Sequence, residues 1–540
     1  MTAPSGVVYD PPLLSANGSG TVTDTNGNQG STSFDGTATT TFTDTLGTTA
    51  LTVYSPTPSP TAPTTYTYTG PSGAAVFTLN YKNYTVQTKF LCSGASEYGP
   101  LSQSLVDNIA LPDGTSYVIG YETTPGDTHS PHYVTGRIAP VQLPTRGTIS
   151  YTYTGGNNGI NCTDGSAATL TRTTPDGTWK YEHTESGTVW TTTVTDPVTP
   201  QGNQTKLQFQ TIYETQRDVY LGAVGGTLLM STSTCYNGNL TNCNTTAVNL
   251  PITQRTVTTS VGGLQSKTDN FCNSFGLPIE VDVYAYGSGA PGGLVRKTVI
   301  AYASLGNNIV DRPSSITVYK SDGVTVAAQT TLSYDQTAVT ATSGTPQHLA
   351  ISGSRGNLTT ATYTTQGTSA ISRTSTYFDT GLVQTATDVN AAQTTYTYNS
   401  TGCANSLLTS ISLPLSLSRS MVWNCTGGVA TSVTDENTKT TSFGYNDPNY
   451  WRLKSITDPA SAVTNISYFT SPFASESTLN FNGTTSTVDS RTTLDGLGRA
   501  QIVQRRQAQG STSYDSVETD YDSVGRPWAH FKLASFWVRF

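Results

Sequence analysis

Three units of the chain repeat one spacing, with a Tyr ten residues after an Asp. The Asp and Tyr of the three units are Asp388 and Tyr398, Asp435 and Tyr445, and Asp458 and Tyr468. An Asp that initiates a turn, followed by a strand in which aromatic residues alternate with polar ones, accounts for this spacing. Repetition at a short period restricts the fold to an array of β-hairpins in which each unit packs on its neighbours.

Composition supports strands and turns along nearly the whole chain. Charged residues make up 11% of the sequence, compared with roughly 25% in an average soluble domain. The chain has 50 Gly and 30 Tyr but only 3 Met, so turn and strand formers dominate over helix formers. The sequence therefore predicts an all-β fold of antiparallel hairpins. Residues 300–527 should contain no helix longer than about three turns.

Charge and hydropathy exclude two classes of function. The net charge is −8 and there is no run of basic residues, so nucleic-acid binding is not expected. No apolar stretch reaches the roughly 18 residues of a spanning helix. The first ten residues lack the basic and apolar regions of a signal peptide, although the Thr/Gly/Asn-rich style is typical of secreted bacterial surface proteins. We therefore predict a secreted or cell-surface location, with an incomplete N-terminus or another export route.

Seven cysteines are too few for a fold built on disulfides. Cys235 and Cys243 flank an Asn/Gly turn, and Cys403 and Cys425 lie about one repeat apart. Either pair could form a bridge. Their spacings do not match a metal site.

The chain divides into four segments by composition. Residues 1–65 are rich in Thr and Ser and end in a run of prolines, which predicts a loosely specified β segment and an extended linker. Residues 66–300 are β-rich with divergent hairpins, such as the Pro-Asp-Gly-Thr turn at 175–178. Residues 301–527 carry the repeats. Residues 528–540 form an atypical, aromatic-rich tail, expected to follow an unpaired edge strand.

Two six-residue motifs near the end of the chain have the pattern of a tight turn between strands. They are Leu494-Asp495-Gly496-Leu497-Gly498-Arg499 and Tyr521-Asp522-Ser523-Val524-Gly525-Arg526. Asp begins the turn and Arg opens the next strand, so the second glycine of the first motif and the glycine of the second should have positive φ.

The Tyr-Asp-x-x-Gly-Arg motif at 521–526 resembles the signature of the YD-repeat, or Rhs, family. The resemblance covers roughly residues 300–527, with a looser echo over 66–300. The motif at 494–499 departs from it by having Leu in place of Tyr, and several upstream units lack Gly-Arg.

The resemblance implies an extended, curved sheet that forms part of a hollow shell. In the family, such shells enclose or present a C-terminal effector polypeptide in bacterial competition or adhesion. The larger members also carry a C-terminal core segment that releases this cargo. Neither has room after Pro527 here, so the resemblance predicts a truncated chain or a fragment of a longer one.

Two clusters invite a chemical interpretation. Asp127, His129 and His132 could be imagined as metal ligands, but the surrounding Gly and Pro favour a solvated loop. Glu182 and Glu185 lie beside aromatic residues, including Trp179 and Trp190, which suits a sugar-binding or sugar-cleaving patch, but a hairpin with exposed acids and cross-strand aromatic residues is the favoured interpretation.

We therefore predict no catalytic, cofactor-binding or metal-binding residues and a structural scaffold. A carbohydrate-binding surface module and a secreted hydrolase are the alternatives. The expected partners are an enclosed polypeptide or cell-surface glycans.

Overall fold

The computed structural model describes residues 1–11, 19–162, 166–198, 202–398, 403–481 and 486–537. These residues form strands, turns and two short 3₁₀ helices, Gly156–Gly159 and Pro414–Ser416. The first ten strands are Val8–Asp10 (β1), Gly20–Thr23 (β2), Gln29–Phe34 (β3), Thr39–Thr43 (β4), Thr49–Tyr54 (β5), Thr64–Gly70 (β6), Gly73–Val86 (β7), Leu101–Ala110 (β8), Ser116–Thr123 (β9) and Val134–Gln142 (β10).

The next fourteen strands continue without a long insertion. They are Thr148–Gly155 (β11), Ala168–Thr173 (β12), Thr178–Ser186 (β13), Val189–Thr195 (β14), Gln204–Gln210 (β15), Tyr213–Leu221 (β16), Thr227–Tyr236 (β17), Gln254–Val261 (β18), Leu264–Cys272 (β19), Pro278–Ser288 (β20), Leu294–Tyr302 (β21), Pro313–Tyr319 (β22), Val326–Tyr334 (β23) and Leu358–Thr365 (β24).

The last fourteen strands contain the sequence repeats. They are Ile371–Tyr377 (β25), Val383–Thr387 (β26), Gln393–Tyr398 (β27), Leu408–Ser412 (β28), Ser418–Asn424 (β29), Val429–Thr434 (β30), Thr440–Gly444 (β31), Ser455–Thr457 (β32), Val463–Thr470 (β33), Phe473–Phe481 (β34), Ser486–Leu494 (β35), Ala500–Arg506 (β36), Ser513–Tyr521 (β37) and Pro527–Trp537 (β38).

Each strand pairs antiparallel with the next one along the chain, so the 38 strands form a single meandering sheet. Within the described part of residues 300–527, no helix reaches three turns. The prediction of an all-β fold of antiparallel hairpins is confirmed.

The pairing runs without a break across the segment boundaries suggested by composition. Strand β6 crosses the boundary at 65 and β21 crosses the boundary at 300. The proline run at 56–63 lies in the loop between β5 and β6, which pair directly, so it is a hairpin loop rather than an extended linker. Residues 528–537, set apart as a tail, belong to β38, which pairs with β37. Their aromatic residues favour a strand.

The sheet is a single layer that does not pack around a conventional hydrophobic core. Its accessible surface is 28609 Å², whereas a compact monomer of this mass would expose about 19,000 Å². Buried apolar residues among those described are few and mostly small, such as Ala75, Ala361 and Ala474. Both faces therefore remain largely open to solvent.

Turns far apart in the sequence touch, which shows that the sheet curls into a spiral. In the β10–β11 turn, Gly147 donates its backbone N–H to the carbonyl of Gly496 in the β35–β36 turn at 2.9 Å. These two turns are separated by the 25 strands from β11 to β35. At ~4.8 Å per strand, one winding has a circumference of about 120 Å and a diameter of about 40 Å.

Three disulfides brace the turns that follow odd-numbered strands. Both predicted pairs are bonded, with Cα–Cα distances of 4.9 Å for Cys235–Cys243 and 5.2 Å for Cys403–Cys425. A third bridge, Cys92–Cys162, was not predicted and joins residues 70 positions apart. The spacing of 70 residues gave no signal for the Cys92–Cys162 bridge, because only the folded sheet brings the β7–β8 and β11–β12 loops together.

Candidate functional site: the seam between windings

The repeat turn is built around the carboxylate of its Asp. In the unit at 521–526, Asp522 Oδ1 accepts the backbone N–H groups of Val524 at 3.0 Å and Arg526 at 2.8 Å. Asp522 Oδ2 accepts Nε of Arg526 at 2.8 Å. The backbone N–H of Arg526 is the largest factor that lowers the pKa of Asp522, since each of these donors favours the ionised carboxylate.

The same turn recurs in all five predicted units. In each, the Asp side chain accepts the backbone N–H groups two and four residues later, and the residue three positions later donates its N–H to the Asp carbonyl. The Asp residues are Asp388, Asp435, Asp458, Asp495 and Asp522.

The third residue after each Asp has a positive φ, whatever its identity. Gly498 and Gly525 have φ values of 82° and 84°, as the turn predicts. Ala391, Thr438 and Ser461 take the same position with φ values of 62°, 61° and 66°. The missing glycines of the upstream units therefore change the residue in the turn but not its backbone geometry.

Tyrosines near strand ends tie neighbouring strands together through their hydroxyl groups. Tyr521 donates to the carbonyl of Ala500 at 2.7 Å, at the start of the adjacent strand β36. Tyr468 donates to the carbonyl of Leu453 at 2.9 Å, and Tyr398 packs edge-on against Phe378 with 5.8 Å between ring centroids. Tyr445 lies directly after β31. These tyrosines mostly stabilise the sheet locally.

One repeat arginine reaches beyond its own turn. Arg499 contacts Asp495 Oδ2 through Nε at 2.8 Å and also forms a two-bond pair with Asp176, 323 residues earlier. The distances to the Asp176 carboxylate are 2.7 Å from Nη1 and 2.8 Å from Nη2. The guanidinium lies over the Tyr521 ring at 3.8 Å. Hydrogen bonding to Asp176 is the main cause of the raised pKa of Arg499.

We define two rims of the sheet by its turns. Turns after even-numbered strands form the even rim, and turns after odd-numbered strands form the odd rim. The even rim of the first winding, including the β10–β11 and β12–β13 turns, contacts the odd rim of the second winding, including the β35–β36 and β37–β38 turns. We call this contact the seam.

Glycine allows the two rims to approach closely. A Cβ atom at Gly147 would lie 2.2 Å from the Gly496 carbonyl oxygen, and one at Gly27 would lie 2.0 Å from that of Leu349. A Cβ at Gly177 would lie 2.8 Å from the carbonyl oxygen of Ser523. Each distance is shorter than a van der Waals contact, so these positions exclude larger residues.

Near the N-terminus, the seam is formed by amide and guanidinium groups. The side-chain amides of Asn26 and Asn357 exchange two hydrogen bonds, at 3.1 and 2.9 Å. Arg355, which is 9% exposed, donates to the carbonyls of Asn26 at 2.9 Å and Asp379 at 2.7 Å. This end of the seam therefore uses uncharged acceptors.

Aromatic residues form the middle of the seam. Tyr68 donates its hydroxyl to the carbonyl of Asn449 at 2.6 Å, and Trp451 donates Nε1 to the carbonyl of Thr69 at 2.9 Å. Burial, reinforced by the nearby charge of Asp113, raises the pKa of Tyr450 to about 12. The seam thus runs from the first strands to the last turns.

The rims separate the predicted turns into two groups. Asp495 and Asp522 follow β35 and β37 and lie on the odd rim at the seam. Asp388, Asp435 and Asp458 follow even-numbered strands and lie on the even rim of the second winding. Both Gly-Arg turns therefore lie at the seam.

The structure brings Asp127, His129 and His132 together as an internal hydrogen-bonded group. Asp127 accepts Nδ1 of His129 at 2.6 Å and Nδ1 of His132 at 3.1 Å. Withdrawal from solvent opposes ionisation, but these hydrogen bonds prevail and lower the pKa of Asp127 to about 2. Among the described residues, no group of three or more His, Cys, Asp or Glu is arranged to hold a metal ion.

Glu182 and Glu185 cannot flank one cleft, because they point to opposite faces of β13. Glu185 is opposite Trp190, whereas Glu182 is opposite Thr193 and bonds to Lys180 Nζ at 2.8 Å. Residues three apart on a strand always face opposite sides. This geometry removes the basis of the hydrolase alternative. Trp179, Tyr181 and Trp190 share one face, and its glycan-binding role stays a prediction.

The long-range partners were missed by sequence reasoning. The Pro-Asp-Gly turn at 175–178 and the motif at 494–499 were both identified, but nothing in the sequence indicated that Asp176 pairs with Arg499.

In the described part of the chain, no helix has the length and apolar character needed to cross a membrane.

No family model matches the chain, and no curated protein matches it. Among solved structures, the chain is similar to TcdB2-TccC3, with a TM-score of 0.51 and 10% identity over 99% of this chain and 40% of that one. It is also similar to TcdB2-TccC3-TEV, with a TM-score of 0.51 and 9% identity over 95% of this chain and 40% of that one. The chain spans about 40% of the length of these proteins. At such low identity, the likeness establishes a shared fold, an extended and curved all-β repeat sheet.

Proposed function

We propose that this chain is a non-catalytic wall of a YD-repeat shell that encloses or presents an effector polypeptide. The observation that carries this proposal is the seam, because contacts between successive windings convert a flat meander into a curved wall. The fold shared with TcdB2-TccC3 and the Tyr-Asp-x-x-Gly-Arg motif at 521–526 support it. Both faces of the sheet are free to line a cavity or to meet solvent.

We propose a secreted location, with bacterial competition or adhesion as the setting. The three disulfides support export, because such bonds persist mainly in oxidising environments. The small charged fraction, 11% of residues, fits the same setting. The link to competition or adhesion rests on the family resemblance.

A shell should contact its cargo with one face only. The test places a photo-crosslinking amino acid at Tyr181 or, in a second variant, at its neighbour Glu182, which points to the opposite face. An unfolded, carboxymethylated model polypeptide is then added and irradiated. We expect one position to crosslink several times more strongly than the other, since only the concave face encloses the added chain.

Adjacent positions on one strand provide matched controls for local stability and labelling. A second pair, Thr192 and Thr193 on β14, should repeat the preference, because Thr193 is opposite Glu182 and Thr192 is opposite His183. Equal crosslinking from both faces, or none from either, would contradict the enclosing role.

A further inference from the structure

A cavity of about 410 Å³ lies over one face of strands β34–β37. The β36–β37 loop, including Gly510 and Thr512, forms part of its lining. The volume falls in the range of small-molecule sites, about 300–1,000 Å³. Cavities of about 380 and 330 Å³ lie near the N-terminal strands, so the residues that line this cavity, rather than its size, distinguish it.

Charged residues concentrate in this cavity although they are scarce in the chain. Cross-strand pairing aligns Glu476 with Arg491, Arg491 with Gln504, and Arg506 with Tyr514. Glu476, Arg491, Gln504, Arg506 and Tyr514 all line the cavity. In a sequence with 11% charged residues, this grouping is unusual.

The two arginines are positioned by aromatic rings and by a buried acid. The Arg491 guanidinium lies 5.0 Å from the centre of the Phe469 ring, and the Arg506 guanidinium lies 5.6 Å from that of Tyr514. Asp489, which is 2% exposed, accepts Arg506 Nη2 at 2.5 Å and the Tyr514 hydroxyl at 2.9 Å on the same oxygen, Oδ2. Such contacts fix the direction in which the guanidinium groups point.

Glu476 completes the cavity, and its surroundings favour the protonated form of its carboxyl group. Burial and the neighbouring charge of Asp489 raise its pKa above the ordinary value of 4.5, although Arg491 and Arg506 act in the opposite direction. A hydrogen bond to Asp489 also raises the pKa of Glu476, because a bond between two carboxyl groups requires one of them to hold a proton. The facing titratable groups are Asp489 and Arg491 from β35, Arg506 from β36 and Tyr514 from β37, while Ser467 from β33 does not titrate.

We propose that this cavity binds a single carboxylate group, held by the guanidinium groups of Arg491 and Arg506. When Glu476 is protonated, the carboxyl group opposite Arg491 carries no charge, which favours an anionic ligand in the cavity. Arginine suits this ligand because its planar group donates two parallel hydrogen bonds to carboxylate oxygens. The carboxylate could come from a sugar acid or from an acidic peptide side chain, and the proposal does not depend on the shell function.

Isothermal titration of the full chain tests this site and distinguishes the two sources. The probes are glucuronate and the blocked peptide acetyl-Gly-Glu-Gly-amide, with glucose and acetyl-Gly-Gln-Gly-amide as uncharged controls. Binding of either acid but of neither control supports a carboxylate site and identifies its source. Absence of binding by both acids at about pH 5, where Glu476 is most protonated, would overturn the proposal.

Neighbouring arginines supply a matched pair of variants. Arg506→Gln should weaken binding of the acid probe at least about tenfold, whereas Arg505→Gln should not, because Arg505 is exposed on the opposite face of β36. Equal affinity in both variants would contradict the site.

The pH dependence gives a second readout if Arg506→Gln fails to fold. Affinity should fall as pH rises through the pKa of Glu476, because its ionisation cancels the positive charge of the cavity. Glu476→Gln cannot ionise, so it should bind the acid probe with nearly constant affinity from about pH 5 to pH 8. An unchanged pH dependence in this variant would contradict the proposal.

Discussion

The same turn is formed by residues of very different conformational preference. A left-handed conformation costs roughly 1–2 kcal/mol for a residue with a side chain, yet Ala391, Thr438 and Ser461 adopt it. Each of these turns is held by an Asp carboxylate that accepts two backbone N–H groups. At the scale of single residues, the Asp defines the turn and glycine only relieves its strain.

Relief of this strain should be measurable at Thr438. Thr438 is exposed with a φ of 61°, so Thr438→Gly should raise the free energy of unfolding by about 0.5–1 kcal/mol. Gly525→Ala, the reverse change in a matching turn, should lower it by about 1 kcal/mol or more. Denaturant titration measures both. A destabilised Thr438→Gly variant would show that strain at this position is negligible.

The turn carboxylates should make the protein sensitive to acid. Because hydrogen bonds from Arg526 lower the pKa of Asp522 below its ordinary value of 3.8, its contribution to stability is complete above that value. It is lost as pH falls through the lowered pKa. Asp127, with a pKa of about 2, acts in the same direction. The melting temperature should therefore fall below about pH 4.

Asp522→Asn isolates one turn in this experiment. An amide oxygen can take the place of the carboxylate, as Asn273 does when it accepts the N–H groups of Phe275 and Leu277. The variant should melt below the wild type near neutral pH, and the difference should shrink as pH falls through the lowered pKa of Asp522, where Asp522 also loses its charge. A difference that stays constant over this range would rule out ionisation of Asp522 as its cause.

At the scale of elements, two similar turns have different roles. Arg499 and Arg526 each pair with the Asp of their own turn, but only Arg499 is also joined to Asp176 in the other winding. The Arg526 side chain is 74% exposed, compared with 26% for Arg499. The repeat motif therefore supplies a guanidinium that the fold uses locally in one case and across the seam in the other.

This difference predicts unequal effects of one substitution. Arg499→Ala should destabilise the protein by about 1–3 kcal/mol, because it leaves a half-buried Asp176 without its charged partner. The matched variant Arg526→Ala should cost less than about 1 kcal/mol, since it removes an exposed pair. A double-mutant cycle with Asp176→Ala would show coupling only for Arg499. Equal effects of the two substitutions would refute the seam contact.

For the whole molecule, the seam replaces the missing core. In the described part of the chain, the 38 strands form one layer with no second layer over either face, so contacts between rims fix the curvature of the sheet. The hydrogen bonds between windings join backbone groups in turns, where amide protons would otherwise exchange quickly with solvent. Protection of these amides therefore reports whether the spiral is closed.

Hydrogen exchange should detect opening of the seam. Gly147→Ala places a methyl group 2.2 Å from the Gly496 carbonyl oxygen, so the amide of residue 147 should lose its protection. Gly293→Ala is the control, because a Cβ atom at that position meets nothing within 4 Å. We expect the strand amides to stay protected in both variants. Unchanged protection at residue 147 would mean that the windings do not touch there.

Local chemistry determined much of this protein from its sequence alone. The alternation of Tyr and Thr, and the ten-residue interval from Asp388 to Tyr398, specified strands and turns because side-chain direction in a strand has a period of two. The turn motifs specified a positive φ at Gly498 and Gly525, because a tight turn of this kind needs a left-handed residue at that position. Two of the three disulfides join cysteines whose short spacings had made them candidates for a bridge.

The tertiary structure alone decided which turns meet. Asp176 and Arg499 are 323 residues apart, and their encounter depends on how many strands complete one winding. That number follows from small twists and bends summed over 25 strands, which no local pattern encodes. The Cys92–Cys162 bridge, the cavity over β34–β37 and the division of Asp turns between the two rims were undetermined for the same reason. A sequence specifies each hairpin through local interactions, whereas curvature accumulated over the whole sheet determines the residues that come together.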